Sequence, residues 1–528
     1  MKRLVALILA CLLMVGSAIA ETDFEKEYFI PSLIQEGQYP AVTDGSVSLT
    51  YWMPIDTRAL TYIEDNDGNA AWKLAQETTG IDYKFIHPAA GTATESFNTM
   101  MASGELPDLI QMTTENMYSG GIEKMYNDGA IVDLTPYLEE YAPQYWDEIH
   151  HDDTILRQVT CNGKVLGFYK MTFADAQPWV YANIREDWLK EFGMESPATI
   201  AEYEAYFDAI LANKPGVVPL YVNFNNAEQL MPLLSAFDML KGFYVDNGVV
   251  KNFWNADGLK EFIELMRKWY EKGYITKDFA SLTDTEVFAM FDVGTLGMYI
   301  GSYETAAIRA ADLNIEVSHC RYMRKEKDSK VRTEITNYPV SETLPVVTVV
   351  TSACKDVAAA VKALNFNYTK EGALAFTFGM EGDHWNYDET TGIPTFTEFM
   401  TKNPDGMTIG HVSYIYKCHI RSGYVFPDNI GIPSTSNTGK GRGKWVGDND
   451  PNVSSELRLP PIRLLPEDSE ERNEIMTEVD SYGTEMLLKY VTGVESMDSF
   501  DSFVNEVMDM GLDRALEITQ KAYDEFVK

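Results

Sequence analysis

The stretch from Val47 to Ile110 constrains the fold more than any other part of the chain. Val47-Ser48-Leu49-Thr50-Tyr51-Trp52 alternates in character and is stopped by Pro54, so a strand is expected there. Residues 70–79 read as a helix closed by Gly80, Tyr83-Lys84-Phe85-Ile86 as a second strand, and Leu106-Pro107-Asp108-Leu109-Ile110 as a third. Strand, helix and strand in this rhythm predict parallel βαβ units and place the chain in the α/β class.

The rhythm continues downstream. Thr199-Ile200-Ala201-Glu202 is a capping box opening a helix that runs to Asn213, ahead of Pro215-Gly216. Residues 217–222 are apolar and β-branched, as in a buried strand. Across 257–272, apolar Leu259, Phe262, Ile263, Met266, Trp269 and Tyr270 recur at helical spacing before Gly273. Further strands are expected over 296–300 and 346–350, and helices over 356–366, 369–378, 470–490 and 500–526. Trp188 and Trp269 fall on apolar helix faces and are expected in the core.

A chain of 528 residues is too long for a single core, so two or more lobes are expected. The first twenty residues have the layout of an export signal: Lys2 and Arg3, an apolar run from Leu4 to Val15, then Ser17-Ala18-Ile19-Ala20 before Glu21. That run is shorter than the roughly 20 residues a membrane span needs. Ile8-Leu9-Ala10-Cys11 resembles a lipoprotein box, but Leu9 is bulky for that site and the apolar run continues past the cysteine. A plain secretory leader over 1–20 fits better, followed by an extended segment over 21–45, and the protein is expected outside the cytoplasm or at the cell surface. The formal charge of −37 becomes two units more negative once Lys2 and Arg3 are removed. Such acidity opposes binding to nucleic acid or to anionic membrane. Cys161, Cys320, Cys354 and Cys418 are widely spaced and contain no C-x-x-C pair, so no zinc or redox motif is present. Three pairings are open to them, as are unpaired buried thiols.

Catalytic signatures are missing: the sequence has no H-E-x-x-H, no G-x-S-x-G and no dinucleotide glycine pattern. His150-His151-Asp152-Asp153 reads as a solvated loop, because adjacent residues rarely converge on one ion. Asp65-Asn66-Asp67-Gly68-Asn69 lacks the order and the closing Glu of a calcium loop and reads as a turn. The Gly- and Lys-rich 439–444 lacks the phosphate-loop spacing. No cofactor and no metal is expected, and the chain is not read as an enzyme.

Several segments, in order, resemble the extracellular solute-binding proteins of ABC importers, in particular the family-1 type with its oligosaccharide-binding lipoproteins. Ser103-Gly104-Glu105-Leu106-Pro107-Asp108-Leu109-Ile110 is similar to that family's SGDLPDI segment, and Ile131-Val132-Asp133-Leu134-Thr135-Pro136-Tyr137-Leu138 with Tyr141-Ala142-Pro143 to its DLTPYIEKYAP segment. Asn162-Gly163-Lys164-Val165-Leu166-Gly167 resembles the GKVYG hairpin, Asn183-Ile184-Arg185-Glu186-Asp187-Trp188-Leu189 the IRKDWLDKLG helix start, and Gly379-Met380-Glu381-Gly382-Asp383-His384-Trp385 the GIEGVHY segment. The lipobox cysteine at the end of a normal-length leader is the family feature this chain departs from.

The resemblance implies a two-lobed, periplasmic-binding-protein-like (type II) α/β fold with a hinge and a ligand cleft between the lobes. Both lobes would be discontinuous: 46–178 with 345–412, and 182–338 with 417–528, with crossings near 177–181, 338–344 and 411–416. Sugar rings stack on aromatic planes while their hydroxyls need fixed polar partners, so aromatics beside polar residues at strand ends are the candidate contacts. These are Trp52 and Asp108 after the first strands, Trp179, Tyr181 and Arg185 after the first crossing, and Asn223 and Asn225 after the 217–222 strand. Ser302 and Tyr303 follow the 296–300 strand, and Glu381, His384 and Trp385 lie in the GIEGVHY-like segment. The resemblance further implies a monomer that captures an oligosaccharide and delivers it to the permease subunits of an ABC importer. A peptide or small charged solute in the same cleft, and a secreted polysaccharide-active enzyme, are the competing readings.

Overall fold

In a computed structural model, the residues described are 39–55, 59–114, 117–171, 180–302, 306, 313, 315–333, 346–389, 392–405, 407, 409–418, 421–426 and 452–528. The expected leader, with Cys11 and the signal over 1–20, lies outside them, as do Trp179 and Tyr303.

The βαβ start takes the form the sequence suggests. Val47–Trp52 pairs in parallel with Ile81–Ile86 on one side and Leu109–Met112 on the other. The intervening helix Ala70–Thr79 is capped by the Asn69 side chain and ends at Gly80, whose φ of 71° is left-handed backbone that suits glycine. The third strand begins at Leu109, not at the Leu106 end of the expected segment, because Pro107 carries no N–H for a ladder. The sheet is completed by Val347–Val350, which is antiparallel to both Leu109–Met112 and Phe168–Met171, and by Gly423–Tyr424 along the far side of Phe168–Met171.

A second sheet holds Val317–His319, Val180–Arg185, Leu296–Ser302 and Val218–Tyr221 in that order. Leu296–Ser302 runs parallel to Val218–Tyr221 and antiparallel to Val180–Arg185. Helices Ile200–Asn213, whose capping box of Thr199 and Glu202 is formed, and Leu259–Glu271 pack on this sheet's side of the molecule. Each sheet has its own core. The first is built from residues within 49–171 and 347–426, the second from residues within 180–323 and 457–515, with Trp188 and Trp269 in the second. No described helix is long and apolar enough to cross a membrane.

Two expectations need correction. The third crossing, expected over 411–416, is instead part of the helix Ile409–Tyr416, whose Val412 is buried in the first core. Gly423–Tyr424 then joins the first sheet, so the chain stays with that core through Phe426 and is found in the second from Leu457. The helix expected over 500–526 is interrupted: Phe500–Val507 and Asp513–Phe526 flank a wider turn in which Gly511 takes φ 104°. The described end of the segment expected over 21–45 is docked on the first lobe: the Tyr39 hydroxyl donates to the Lys362 carbonyl at 2.7 Å, and its ring packs edge-on to Phe366.

The first core is rich in aromatic edge-to-face contacts. Trp72, fully buried, meets Tyr51, Tyr83, Phe85 and Phe376 with centroids 4.9–5.8 Å apart. Trp72→Ala should lower stability by about 3–5 kcal/mol, measured by denaturant unfolding. The same core holds a buried carboxyl, Glu148, whose Oε2 has no hydrogen-bond partner among the described residues and lies 4.0 Å from His151 Nδ1. Burial pushes its pKa from 4.5 up to about 8. A folded-state pKa above the unfolded one means this group's stabilisation is complete below pH 4.5 and is lost as pH rises toward 8. Glu148→Gln is expected to flatten the fall in denaturant midpoint between about pH 5 and pH 8.

Candidate functional site

In sheets with parallel strands, ligands gather at the carboxyl ends, where the ladder stops and the following loops are free to present side chains. In the first sheet that edge is marked by Trp52, Ile86, Met112 and Met171. Val347 opens its antiparallel strand beside Met112, so the chain also re-enters the first sheet at this edge. In the second sheet the same edge is marked by Tyr221 and Ser302, and by Val180, which pairs with Ser302. Only eight residues separate Met171 from Val180, a reach of at most about 30 Å. The two carboxyl edges are therefore tethered to one another by a short segment.

On the second-sheet edge, the Asn223 side chain accepts a hydrogen bond from the Asn225 N–H at 3.1 Å, turning the chain out of the strand. Asn226 then caps the helix Ala227–Leu234 by accepting from Gln229 N–H, and Asn225 between them is exposed. Tyr181 sits one residue inside the edge and is buried, its ring 4.5 Å from His319 and 6.4 Å from Tyr322. The Tyr322 hydroxyl donates to the Val180 carbonyl at 3.4 Å, which anchors this aromatic group to the start of the strand. Tyr181, Asn223 and Asn225 are thus brought to one edge, with the backbone of Ser302 beside Val180.

On the first-sheet edge, the organising residue is one that strand patterning did not select. His87 is the first residue past Ile81–Ile86. Its Nδ1 lies 2.8 Å from the Met53 carbonyl, and its Nε2 accepts from Asn66 N–H at 3.3 Å. Asn66 in turn donates to the Met53 sulfur. The Nδ1–H tautomer so defined ties together the loops after the first two strands. Asp65 and Asn69, read as a turn, cap this region: Asp65 accepts from Asp67 N–H, and Asn69 from Ala71 and Trp72 N–H.

Other candidates lie elsewhere for identifiable reasons. Trp52 is only 2% exposed, packing on Phe97 beneath the helix Ala93–Ser103, and forms part of the wall of a surface groove of about 580 Å³. Asp108 stands at the amino end of its strand, where Oδ2 accepts from Thr50 N–H and Oγ1–H at 2.8 and 2.7 Å. It staples two strands at the end away from the carboxyl edge. Arg185 closes Val180–Arg185 at the end opposite Val180. It is held by both carboxylate oxygens of Asp187 and stacks over Trp188 at 4.5 Å. Trp385 is buried and donates its indole N–H to the Gly379 carbonyl at 2.9 Å. His384 is buried, stacked on Tyr416, and accepts the Met380 N–H at Nδ1; burial holds its pKa below the ordinary value. Of the three candidates in that segment, Glu381 is the exposed one. In Arg185, His384 and Trp385 a polar atom is already matched within the fold, which strand patterning alone cannot reveal.

The remaining chemistry is sparse. Among the described residues, no three His, Cys, Asp or Glu side chains gather as a metal cage. Cys161, Cys320 and Cys354 are buried and Cys418 is half-buried, and no disulfide joins any two of these four. Arg185→Gln is expected to lower stability by about 1–3 kcal/mol, through loss of its charged hydrogen bonds, in a denaturation experiment. It should leave any ligand-induced gain in melting temperature unchanged.

Comparison with known proteins gives a consistent result. The profile of the family described as bacterial extracellular solute-binding protein matches residues 69–380, a span that includes parts of both cores. Lipoprotein LipO of Bacillus subtilis (strain 168) is 27% identical over 225 residues, covering 41% of this chain and 43% of that protein. The polygalacturonan/rhamnogalacturonan-binding protein YtcQ of the same organism is 22% identical over 269 residues, covering 49% and 50%. The chain spans about half the length of the curated relatives it matches. Among solved structures, the alginate-binding protein AlgQ2 superposes with a TM-score of 0.73 at 20% identity, covering 92% of this chain and 100% of that one, a likeness of fold.

Proposed function

This chain belongs to the bacterial extracellular solute-binding proteins, and from that membership we propose that it captures an oligosaccharide outside the cytoplasm and hands it to the permease of an ABC importer. The observation that carries the reading is the tethering of two α/β sheets at their carboxyl edges, one of which exposes Asn225 on the turn built by Asn223, with the buried Tyr181 one residue inside it. Fixed amides at such an edge suit the hydroxyls of a sugar chain, whose C–H faces call for aromatic rings beside them. Trp179 and Tyr303 neighbour Val180 and Ser302 in sequence and belong to the same proposed contact set. Glu381 is kept as a candidate on exposure alone.

The proposed cycle needs no bond of the ligand to break. The lobes capture it, close by hinge rotation because the closed form makes more contacts with it, and open again on the transporter. Export by the leader over 1–20 belongs to the same proposal. A chain of formal charge −37 repels a polyanion, so neutral oligosaccharides are the favoured class over polyuronates.

Thermal unfolding of residues 21–528 against neutral oligosaccharides, uronate oligomers and peptides tests this. A ligand at about 100 times its Kd adds roughly 2.7 kcal/mol, a rise of a few degrees for lobes of this size. The expected result is such a rise with a neutral glycan series, with the glycan recovered intact. A rise only with peptides would overturn the sugar assignment, a rise only with uronates the preference for neutral glycans, and recovery of shortened glycan the non-enzymatic cycle.

A further inference from the structure

The two cores are separate, yet the lobes also touch through a small polar seam outside the strand-end site. On the first lobe, Arg157 is exposed on the helix Asp153–Val159. Its guanidinium donates to the Phe526 carbonyl at 3.1 Å and lies 5.8 Å from the Phe526 ring, at the end of the second lobe's helix Asp513–Phe526. The reciprocal arm is Arg463, on the segment leading from Leu457 of the second core into the helix Pro466–Thr492. One of its terminal nitrogens donates to the Gln158 carbonyl at 2.5 Å and to the Tyr169 hydroxyl at 3.0 Å, both on the first lobe. Each lobe therefore extends one arginine to grip the other, and neighbouring residues 157 and 158 serve the two arms.

Two further features separate this seam from a fixed interface. The two arginines make the grip with their hydrogen bonds and by lying 5.8 and 5.9 Å from the Phe526 and Tyr169 rings, so it is carried by charged side chains. Beside it lies a cavity of about 380 Å³, bounded by Cys161 and Asn162 on one lobe and by Leu465, Lys521 and Ala522 on the other. Packed cores resist displacement, whereas hydrogen bonds to carbonyls beside a cavity can be exchanged with less steric resistance. Lys521 pairs with Asp468 at 3.1 Å, fastening the second lobe's two helices to each other so that they move as one body at this seam.

We infer that Arg157 and Arg463 form a clasp between the lobes that sets their resting angle, and with it the fraction of molecules competent to bind. A ligand that requires one angle binds more weakly by the fraction of molecules that lack it, so the clasp acts on affinity without touching the ligand. The inference stands on the two-lobed fold and holds for a sugar or any other solute.

The test is a pulsed electron-spin distance measurement on the ligand-free protein. Nitroxide labels would be carried by Lys84→Cys on the first lobe and Val494→Cys on the second, both exposed positions, in a Cys418→Ser background. Arg157→Ala combined with Arg463→Gln is expected to shift the distance distribution by several ångström or to broaden it. Arg514→Ala removes a charge from the same second-lobe helix, but its partner Glu471 lies within that lobe; it should leave the distribution as in the parent. If the double variant does not fold, exposed Arg157→Ala alone serves, with a smaller change in the same direction. A distribution identical to the parent in the clasp variants would overturn the inference, as would an equal change in Arg514→Ala.

Discussion

The strand Val347–Val350 is the element on which the architecture depends. It is buried along its whole length and lies between Leu109–Met112 and Phe168–Met171, antiparallel to both. Those two neighbours cannot pair with each other, because a strand's place is left between them. The first sheet therefore stays incomplete until the chain has built the strands of the second and returned. That topological debt forces the chain to pass between lobes at 172–179 and again before Val347, and both passages attach at the carboxyl edge of the first sheet. The place where the lobes are joined is thereby the place where loops are freest to present side chains.

The same logic explains how polar groups are distributed. Away from the carboxyl edge they are consumed by the fold: Asp108 ties Thr50 to the third strand, Asn183 donates to the Gly301 carbonyl inside the second sheet, and Arg185 is committed to Asp187. A buried hydrogen-bonding group left unmatched is expensive, so interior positions recruit partners from neighbouring strands. At the edge, the demand is local and is met by side chains of the turn itself, as with Asn223 and Asn226, while Asn225 is left exposed. His87 does the corresponding work on the first lobe by holding two loops together through both ring nitrogens.

Much of this fold is legible in the sequence because it rests on local signals. The capping box of Thr199 and Glu202, the stop at Gly80 and the apolar spacing of Leu259 to Trp269 each act within a few residues. The resemblance to extracellular solute-binding proteins rests on ordered short motifs, and the family match agrees with it. Side-chain roles are harder to read, since a strand pattern does not say which end faces the ligand. Asp108 looks like the end of a strand in sequence and is in fact next to its beginning. Trp52 and Trp385 look like platforms and are packed under a helix and against Phe378, respectively. His87 could have been found by asking which polar residue directly follows the second strand. The late return of Gly423–Tyr424 to the first sheet has no such signal, because a two-residue edge strand carries almost no periodicity.

Amide hydrogen exchange, with and without the glycan that most raises the melting temperature, tests the central claim most directly. If the ligand is held between the two carboxyl edges, its binding should slow exchange at residues 53–55, 87–90 and 113–114 on the first lobe and at 180–181 and 222–226 on the second. Protection confined to one lobe, or centred on the groove between Thr50 and the helix Ala93–Ser103, would contradict it.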